Sequence, residues 1–532
     1  MKFRFVAWLV SLFIAKPVVY SQHLHSLQYL SDFKSNEPSL AIEPGAPHYQ
    51  FIGGNLDHYF LSSDGGDSWK HKTLRSTMGV YGDPVVSISA SGRYYFAHLA
   101  KSPNKPYPAS FDQIVFQFSD NRGQDFNNGV GVGLNSDKMQ DKPWFFVLSS
   151  PDLEASKDLV ALCWTEFDRY KSTHSGDSAR IRFALSQDGG LHFSEPLTLS
   201  NLSGGCMDDL HTPEGATPVI LPDSSIHVTW AMDQKIWYTF SLDLGKTWSP
   251  QKAIADQKGG WPATQPGFMR TNMMPFLITD LHHHLHLVWG QYNTQQQQHI
   301  YLQSSYNNGE SWTQAQRVSP AQNKNGSPTH NFLPFPCSDP VTGTIYVAYY
   351  SRPVKAQYFC EFMVSAWDPQ TQTWKHSVQN PLFLTAGNDV FFGDYNAVDA
   401  YHGMVRAVWT HQSQGKVFLA TAALNTKTPP KPKIFTVKWD YRSDSTLYFY
   451  AATPNKRTYK VHLAKESNKH VHFLSLEKLN GSWLPWKRSR EHERAVEYPF
   501  PQKTNDSFFI YVTNRRGRVL YKEPFSFHAS QE

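Results

Sequence analysis

The stretch Ser62-Ser63-Asp64-Gly65-Gly66-Asp67-Ser68-Trp69 is one copy of a phrase that returns along the chain. Variants of Ser-x-Asp/Asn-x-Gly-x-x-Trp/Phe begin again at Ser119, Ser186, Ser241 and Ser305, and a decayed copy runs from Ser365 through Asp368 to Trp374. A period of roughly 60 residues is the length of one small β-sheet, so the chain reads as a repeat architecture closing into a ring. The phrase itself has a local job. An Asp or Asn oxygen accepts from nearby backbone N–H groups, Gly supplies a positive φ, and a tight turn joins two strands. The Trp or Phe then returns to the sheet as an apolar anchor.

Working outward, each repeat divides into four alternating or fully apolar runs bounded by turn residues. The second runs align best, and Trp164, Trp230, Trp289, Tyr349 and Trp409 recur at or near their ends. Seven such runs are present, from Phe51–Asn55 to Met404–Thr410. The seventh unit has three strands before Thr426-Lys427-Thr428-Pro429-Pro430-Lys431-Pro432, which cannot continue a sheet. Its missing outer strand is expected from the mature N-terminus, around His25–Leu30. The fold expected is all-β, a seven-bladed propeller (six blades being the alternative) followed by a small C-terminal β-sandwich.

The ends of the chain set the rest. Residues 1–21 carry Lys2 and Arg4, an apolar run and a small residue at Ser21, the pattern of a cleaved signal peptide. A secreted or periplasmic protein is therefore expected, with no membrane span, since the run is short of the ~20 residues a span needs. Residues 22–425 form the propeller, 426–433 a Pro-rich linker, and 434–532 the β-sandwich. Cys163, Cys206, Cys337 and Cys360 allow two disulfides in three pairings, or buried free thiols. The net charge of +5 is modest, and its basic excess falls after Pro429. No nucleic-acid partner is expected.

In a four-stranded blade the recurring turn joins the third strand to the fourth, on one face of the ring. The connections on the opposite face are long and varied, and sites are built there. This sorting removes Asp64, Asp188 and Asp243 from catalysis. It also removes His282-His283-His284 and His286, because neighbouring side chains in an extended hairpin alternate and chelate poorly. Neither a metal nor a cofactor is expected.

The favoured face gathers Asp, Glu, Arg, His and Trp, a mixture suited to a polar or sugar-like ligand. The recurring phrase resembles the Asp box of the sialidase superfamily. Asn36-Glu37-Pro38-Ser39-Leu40-Ala41, Gly82-Asp83-Pro84, Asp141-Lys142-Pro143-Trp144, Trp164-Thr165-Glu166-Phe167-Asp168 and Phe391-Phe392-Gly393-Asp394-Tyr395 are similar to segments of exported Asp-box proteins. The resemblance implies a glycoside hydrolase of exo-α-sialidase type, acting on a glycan or glycoconjugate as a monomer. It implies Asp83 as the acid, Tyr395 as a nucleophile activated by Glu214, and Arg75, Arg270 and Arg352 as carboxylate clamps. Glu166, His98, Asp209, His330 and His411 are further candidates for substrate binding. Two other readings use the same face: a lyase on uronate-containing glycans, with a His or Tyr base and an Arg, and a non-catalytic glycan- or protein-binding ring.

Overall fold

The computed structural model describes residues 20–21, 24–30, 32–102, 111–135, 137–149, 154–356, 358–368, 372–384, 390–413 and 415–424. Beyond these it describes strands between 437 and 525. The expected signal peptide and linker fall almost wholly outside these residues.

Seven sheets follow one another along the chain, antiparallel except where Tyr20–Ser21 runs parallel to Thr373–Phe383 at the edge of the sixth. Their innermost strands are Ser39–Ile42, Val85–Ile88, Met139–Leu148, Glu214–Ile220, Phe276–Thr279, Thr329–Ser338 and Ala397–Tyr401, heading blades 1 to 7 in that order. Each innermost strand touches the next one around the circle, and the seventh touches the first. The ring therefore has seven blades. The outer strand of blade 7 is Leu24–Leu30, which pairs antiparallel with Lys416–Leu424. Both ends of the ring-forming segment thus share one sheet, and the ladder between them fastens the circle.

Packing follows the sequence pattern. Trp164, Trp230, Trp289, Tyr349 and Trp409 are at most 1% exposed, each wedged between sheets. Burying a large aromatic in this way contributes on the order of 2–3 kcal/mol. All four cysteines are buried free thiols.

The recurring turns share one hydrogen-bond pattern. Ser62 Oγ donates to Asp64 Oδ1 at 2.8 Å and accepts from the Gly66 amide at 2.8 Å, while Asp64 Oδ1 accepts from the Ser68 amide at 2.9 Å. The same three bonds recur at Ser186, Ser241 and Ser305. Gly66 has φ +84°, and a Cβ there would lie 2.2 Å from the Arg406 guanidinium. That guanidinium comes from blade 7. Its Nη2 donates to the Gly65 carbonyl at 2.9 Å, and Gln28 of the closing strand donates to the Gly66 and Asp67 carbonyls at 3.0 and 2.7 Å. The turn of blade 1 is thus part of the closure. At the decayed copy Ser365 Oγ meets Tyr349 Oη and His376 Nδ1, both at 2.7 Å.

A separate compact unit spans Thr428–Glu532. It holds a three-stranded sheet of Val437–Arg442, Thr446–Ala452 and Glu493–Pro499. A four-stranded sheet is built from Lys460–Ser467, His470–Ser475, Phe508–Thr513 and Val519–Phe525.

Arg406 is 1% exposed, and burial pushes its guanidinium down to about 10. Replacing it by Ala leaves the blade 1 carbonyl unpaired and opens a cavity at the seam. The expected loss is about 2–4 kcal/mol in chemical denaturation.

Candidate functional site

The innermost strands begin on the face opposite the recurring turns, and the backbone there is strained in a repeated way. Glu37, Asp83, Lys142 and Leu333 have φ of 48°, 50°, 50° and 53°, and each precedes a proline. Gly215 takes φ 69° at the corresponding place in blade 4. A non-glycine residue in this region costs on the order of 1–3 kcal/mol, and such strain concentrates at functional sites. Bulges follow between Asp141 and Trp144, Glu214 and Thr217, and Phe332 and Phe335. These heads meet around the axis of the ring.

Asp394 is the hub. Its Oδ2 lies 3.0 Å from Lys142 Nζ and 3.1 Å from Arg270 Nη1, and its Oδ1 accepts from Asn272 Nδ2 at 2.7 Å. Its amide donates to Glu37 Oε1 at 3.0 Å. The preceding Gly393 allows this approach, since at φ +96° a Cβ would lie 2.1 Å from Glu37 Cγ. Lys142 Nζ also reaches Asp141 at 3.6 Å, and Arg270 Nη2 reaches Asp208 at 3.4 Å. Asp208 Oδ2 accepts from Tyr170 Oη at 2.8 Å. Glu214 Oε2 accepts from Thr165 Oγ1 at 3.1 Å. Two buried oxygens of this cluster, Glu214 Oε1 and Asp208 Oδ1, have no hydrogen-bond partner.

Burial and crowding divide the protons. Burial alone would raise Asp394, but Lys142 and Arg270 outweigh it and hold this carboxylate below its ordinary range. Burial lifts Asp83 to about 7, with Asp141 adding to the effect. Burial also drives Glu214 well above the carboxylate range, against the pull of Lys142. Glu37 rises through burial and its neighbours Asp83 and Asp394. Burial opposes the charge of Lys142, yet Asp141 and Asp394 more than compensate and keep it a cation.

The residues expected from sequence distribute unevenly. Asp83, Glu214, Tyr395 and Arg270 converge on the axis. Within that group Tyr395 Oη meets Asp83 Oδ2 at 3.5 Å, and no hydrogen bond joins it to Glu214. Burial and Asp83 push the Tyr395 phenol well above its ordinary value, the opposite of an activated nucleophile. Arg75 is exposed beyond the outer strand of blade 1, where its carbonyl accepts from Gln117. Arg352 is 4% exposed in blade 6, with Nη1 on the Pro266 carbonyl at 3.1 Å. Asp209 holds a turn by accepting from the His211 amide at 2.9 Å.

The remaining expected residues lie inside strands; for Glu166, His330 and His411 the sheets extend further toward this face than the turn signals indicate. His98 is fully buried, with its ring nitrogens 2.9 Å from the Leu99 carbonyl and 3.0 Å from Gln117 Oε1. His330 Nδ1 accepts from the Gln298 amide at 3.3 Å, and His411 lies 3.4 Å from Asn380 Nδ2. Burial takes both down to about 4. Glu166 is enclosed by Asn135, Gln140 and Arg180 at 3.0, 3.4 and 3.3 Å. Sequence reasoning assigned no role to Glu37, Asp141, Lys142, Asn272 or Asp394. The recurrent x-Pro at the blade heads marks Glu37 and Lys142. Among the described residues no cluster has the makings of a metal site.

No protein-family model matches the chain, and no curated protein does. Several solved structures are similar to it. Trypanosoma rangeli sialidase matches over 96% of this chain and 91% of its own, at 9% identity and TM-score 0.41. The α-L-arabinofuranosidase Arb93A of Fusarium graminearum matches over 75% of this chain and 98% of its own, at 11% identity and TM-score 0.40. An ulvan lyase from a new polysaccharide lyase family matches over 65% and 82%, at 10% identity and TM-score 0.40. At such distances the chemistry has to be argued from the axial residues themselves.

Two outcomes follow from the hub. Lys142→Met leaves Asp141 and Asp394 buried without their ammonium partner, and should cost roughly 3–5 kcal/mol at neutral pH in urea titration. Asp83, with a folded value of about 7, binds more protons folded than unfolded across the window from about 4 to 7. Its contribution to stability is complete below that window and is lost as pH rises through it. Asp83→Asn should flatten this part of the stability–pH curve by up to about 1.4 kcal/mol per pH unit.

Proposed function

We propose that the protein is a glycoside hydrolase acting at the ring axis, with Glu214 as general acid and Asp208 as the second carboxyl group. The observation that carries this reading is the pair of buried, unpartnered carboxyl oxygens, Glu214 Oε1 and Asp208 Oδ1, within one cluster. Other buried polar atoms of the described residues lack partners too, the indole nitrogens of Trp230 and Trp409 among them, but these two are carboxyl oxygens of one cluster, and a bound water or ligand is a common reason for such atoms. The two environments differ as glycoside hydrolysis requires. Burial keeps Glu214 protonated, so it can donate to the glycosidic oxygen. Asp208 is paired with Arg270 and accepts from Tyr170, and its free oxygen can activate water or attack the anomeric carbon.

Asp83 and Tyr395 form the adjacent wall, and Trp144, with its ring centroid 5.7 Å from that of Tyr395, supplies an apolar side to the same region. This assignment keeps Glu214 in the chemistry but gives the second role to Asp208 in place of the phenol. The lyase reading has less support: His98, His330 and His411 are buried and committed to internal bonds. The chain's N-terminal pattern supports export, so an extracellular glycan is the proposed substrate. The two C-terminal sheets are proposed to form a sandwich that serves as an accessory module.

The test is release of sugar from a panel of glycans by the full chain. Glu214→Gln and Asp208→Asn should each lower kcat by about 10²–10⁴-fold, whereas Tyr395→Phe should lower it less. Activity retained in both carboxyl variants would show the assignment to be wrong, and binding without product would favour a non-catalytic ring.

A further inference from the structure

The face that carries the recurring turns has a hollow of its own. It lies where the first turn of blade 1, at Glu43, meets the first turn of blade 2, at Ala90 to Gly92, and the recurring turn of blade 2, at Asp120 and Arg122; its volume is about 490 Å³. Two ion pairs brace it. Arg122 donates from Nε to Glu43 Oε2 at 3.0 Å and from Nη2 to Oε1 at 2.9 Å, and its guanidinium lies 3.8 Å from the centre of the Tyr49 ring. Asp120 accepts from Arg93, at Oδ1 from Nε at 2.6 Å and at Oδ2 from Nη2 at 2.9 Å. The Arg122 and Asp120 side chains stay 47% and 59% exposed, and among the described residues no hydrogen bond takes up Arg122 Nη1. At Gly92 a Cβ would meet nothing within 4 Å.

The sequence of this turn leaves the space open. The same position of the recurring turn is Gly65 in blade 1 and Gly189 in blade 3, and a neighbour covers each. Arg406 donates to the Gly65 carbonyl, and a Cβ on Gly189 would lie 2.1 Å from the Ala155 carbonyl oxygen. In blade 2 the position is Arg122, whose side chain instead reaches across to Glu43 of blade 1.

We propose that this hollow is a second, non-catalytic binding site that takes an uncharged sugar unit of a glycan chain. Its charges cancel in pairs, Arg122 with Glu43 and Arg93 with Asp120, so the inventory gives an ion of either sign no net attraction. A hydroxyl-rich ligand finds both of the edges it needs. Arg122 Nη1 can donate to sugar oxygens, and the exposed Asp120 carboxylate keeps lone pairs for hydroxyl protons, each bond being charge-assisted. Both side chains are already held by their ion pairs, so binding orders little that was free. The volume falls in the range of about 300–1,000 Å³ in which small-molecule sites lie. The site is separate from the ring axis and stands whether or not hydrolysis occurs there.

The experiment is affinity electrophoresis of the full-length protein through gels containing arabinan, galactan, xylan or laminarin, with polygalacturonate as the charged probe. Ala90→Trp fills the hollow. Asp120→Asn removes the carboxylate while keeping an acceptor for Arg93, so it carries the test if the bulkier variant fails to fold. Glu214→Gln controls for binding at the axis. The expected result is retardation by at least one neutral polymer, kept in Glu214→Gln and weakened about tenfold or more in the two variants of the hollow. No retardation by any polymer would overturn the proposal, as would retardation left unchanged by both variants. Retardation by polygalacturonate alone would overturn the uncharged class. Retardation lost only in Glu214→Gln would place the binding at the axis, overturning this site and leaving the hydrolase reading intact.

Discussion

The carboxylate of Asp394 is the point on which the candidate site depends. It accepts from Lys142 at the head of blade 3, and from Arg270 and Asn272 in the loop before blade 5; its own amide donates to Glu37 at the head of blade 1. A buried ion pair recovers its desolvation cost only where geometry is good and the remaining lone pairs are satisfied. Asp394 meets that condition with two cations and an amide donor. The blade heads can therefore stand close together at the axis despite carrying acid groups.

That arrangement forces a division of protons among the other carboxyls. Two cations cannot stabilise six buried anions, so burial drives the poorly partnered ones toward the neutral form. Asp83 reaches about 7 and Glu214 goes well above its ordinary range, while Asp394 stays ionised. A propeller assembles this set readily because each blade contributes one strand head. The φ values near 50° at Glu37, Asp83 and Lys142 are a backbone cost of holding those heads in place. The closing ladder of Leu24–Leu30 on Lys416–Leu424 keeps the ring from relaxing that strain.

The ring was legible in the sequence because its signals are local and repeated. Ser-x-Asp/Asn-x-Gly fixes a turn through bonds spanning four residues, and the aromatic ends of the second strands set the register of the blades. Even the closing strand could be read, since a three-stranded last unit before a Pro-rich run leaves one edge open. Asp83, Glu214, Arg270 and Tyr395 come together at the axis because they lie on loops or strand heads of the expected face. Glu166, His330 and His411 were expected in loops but lie in strands, since alternation does not mark where a buried strand ends.

The pairings within the site were not legible, for a physical reason. Asp394 and Lys142 are far apart in sequence, and only closure of the ring brings them to 3.0 Å. The order of Asp, Glu, Arg and Tyr along a chain says which face each occupies, but not which acid faces which cation. Here that difference decides the chemistry. A free arginine and an arginine held between Asp394 and Asp208 are the same letter in sequence, but the second has part of its donor set committed before any ligand arrives. The same holds for a phenol: the sequence shows Tyr395 as a candidate nucleophile, whereas burial beside Asp83 pushes its pKa well above the ordinary value.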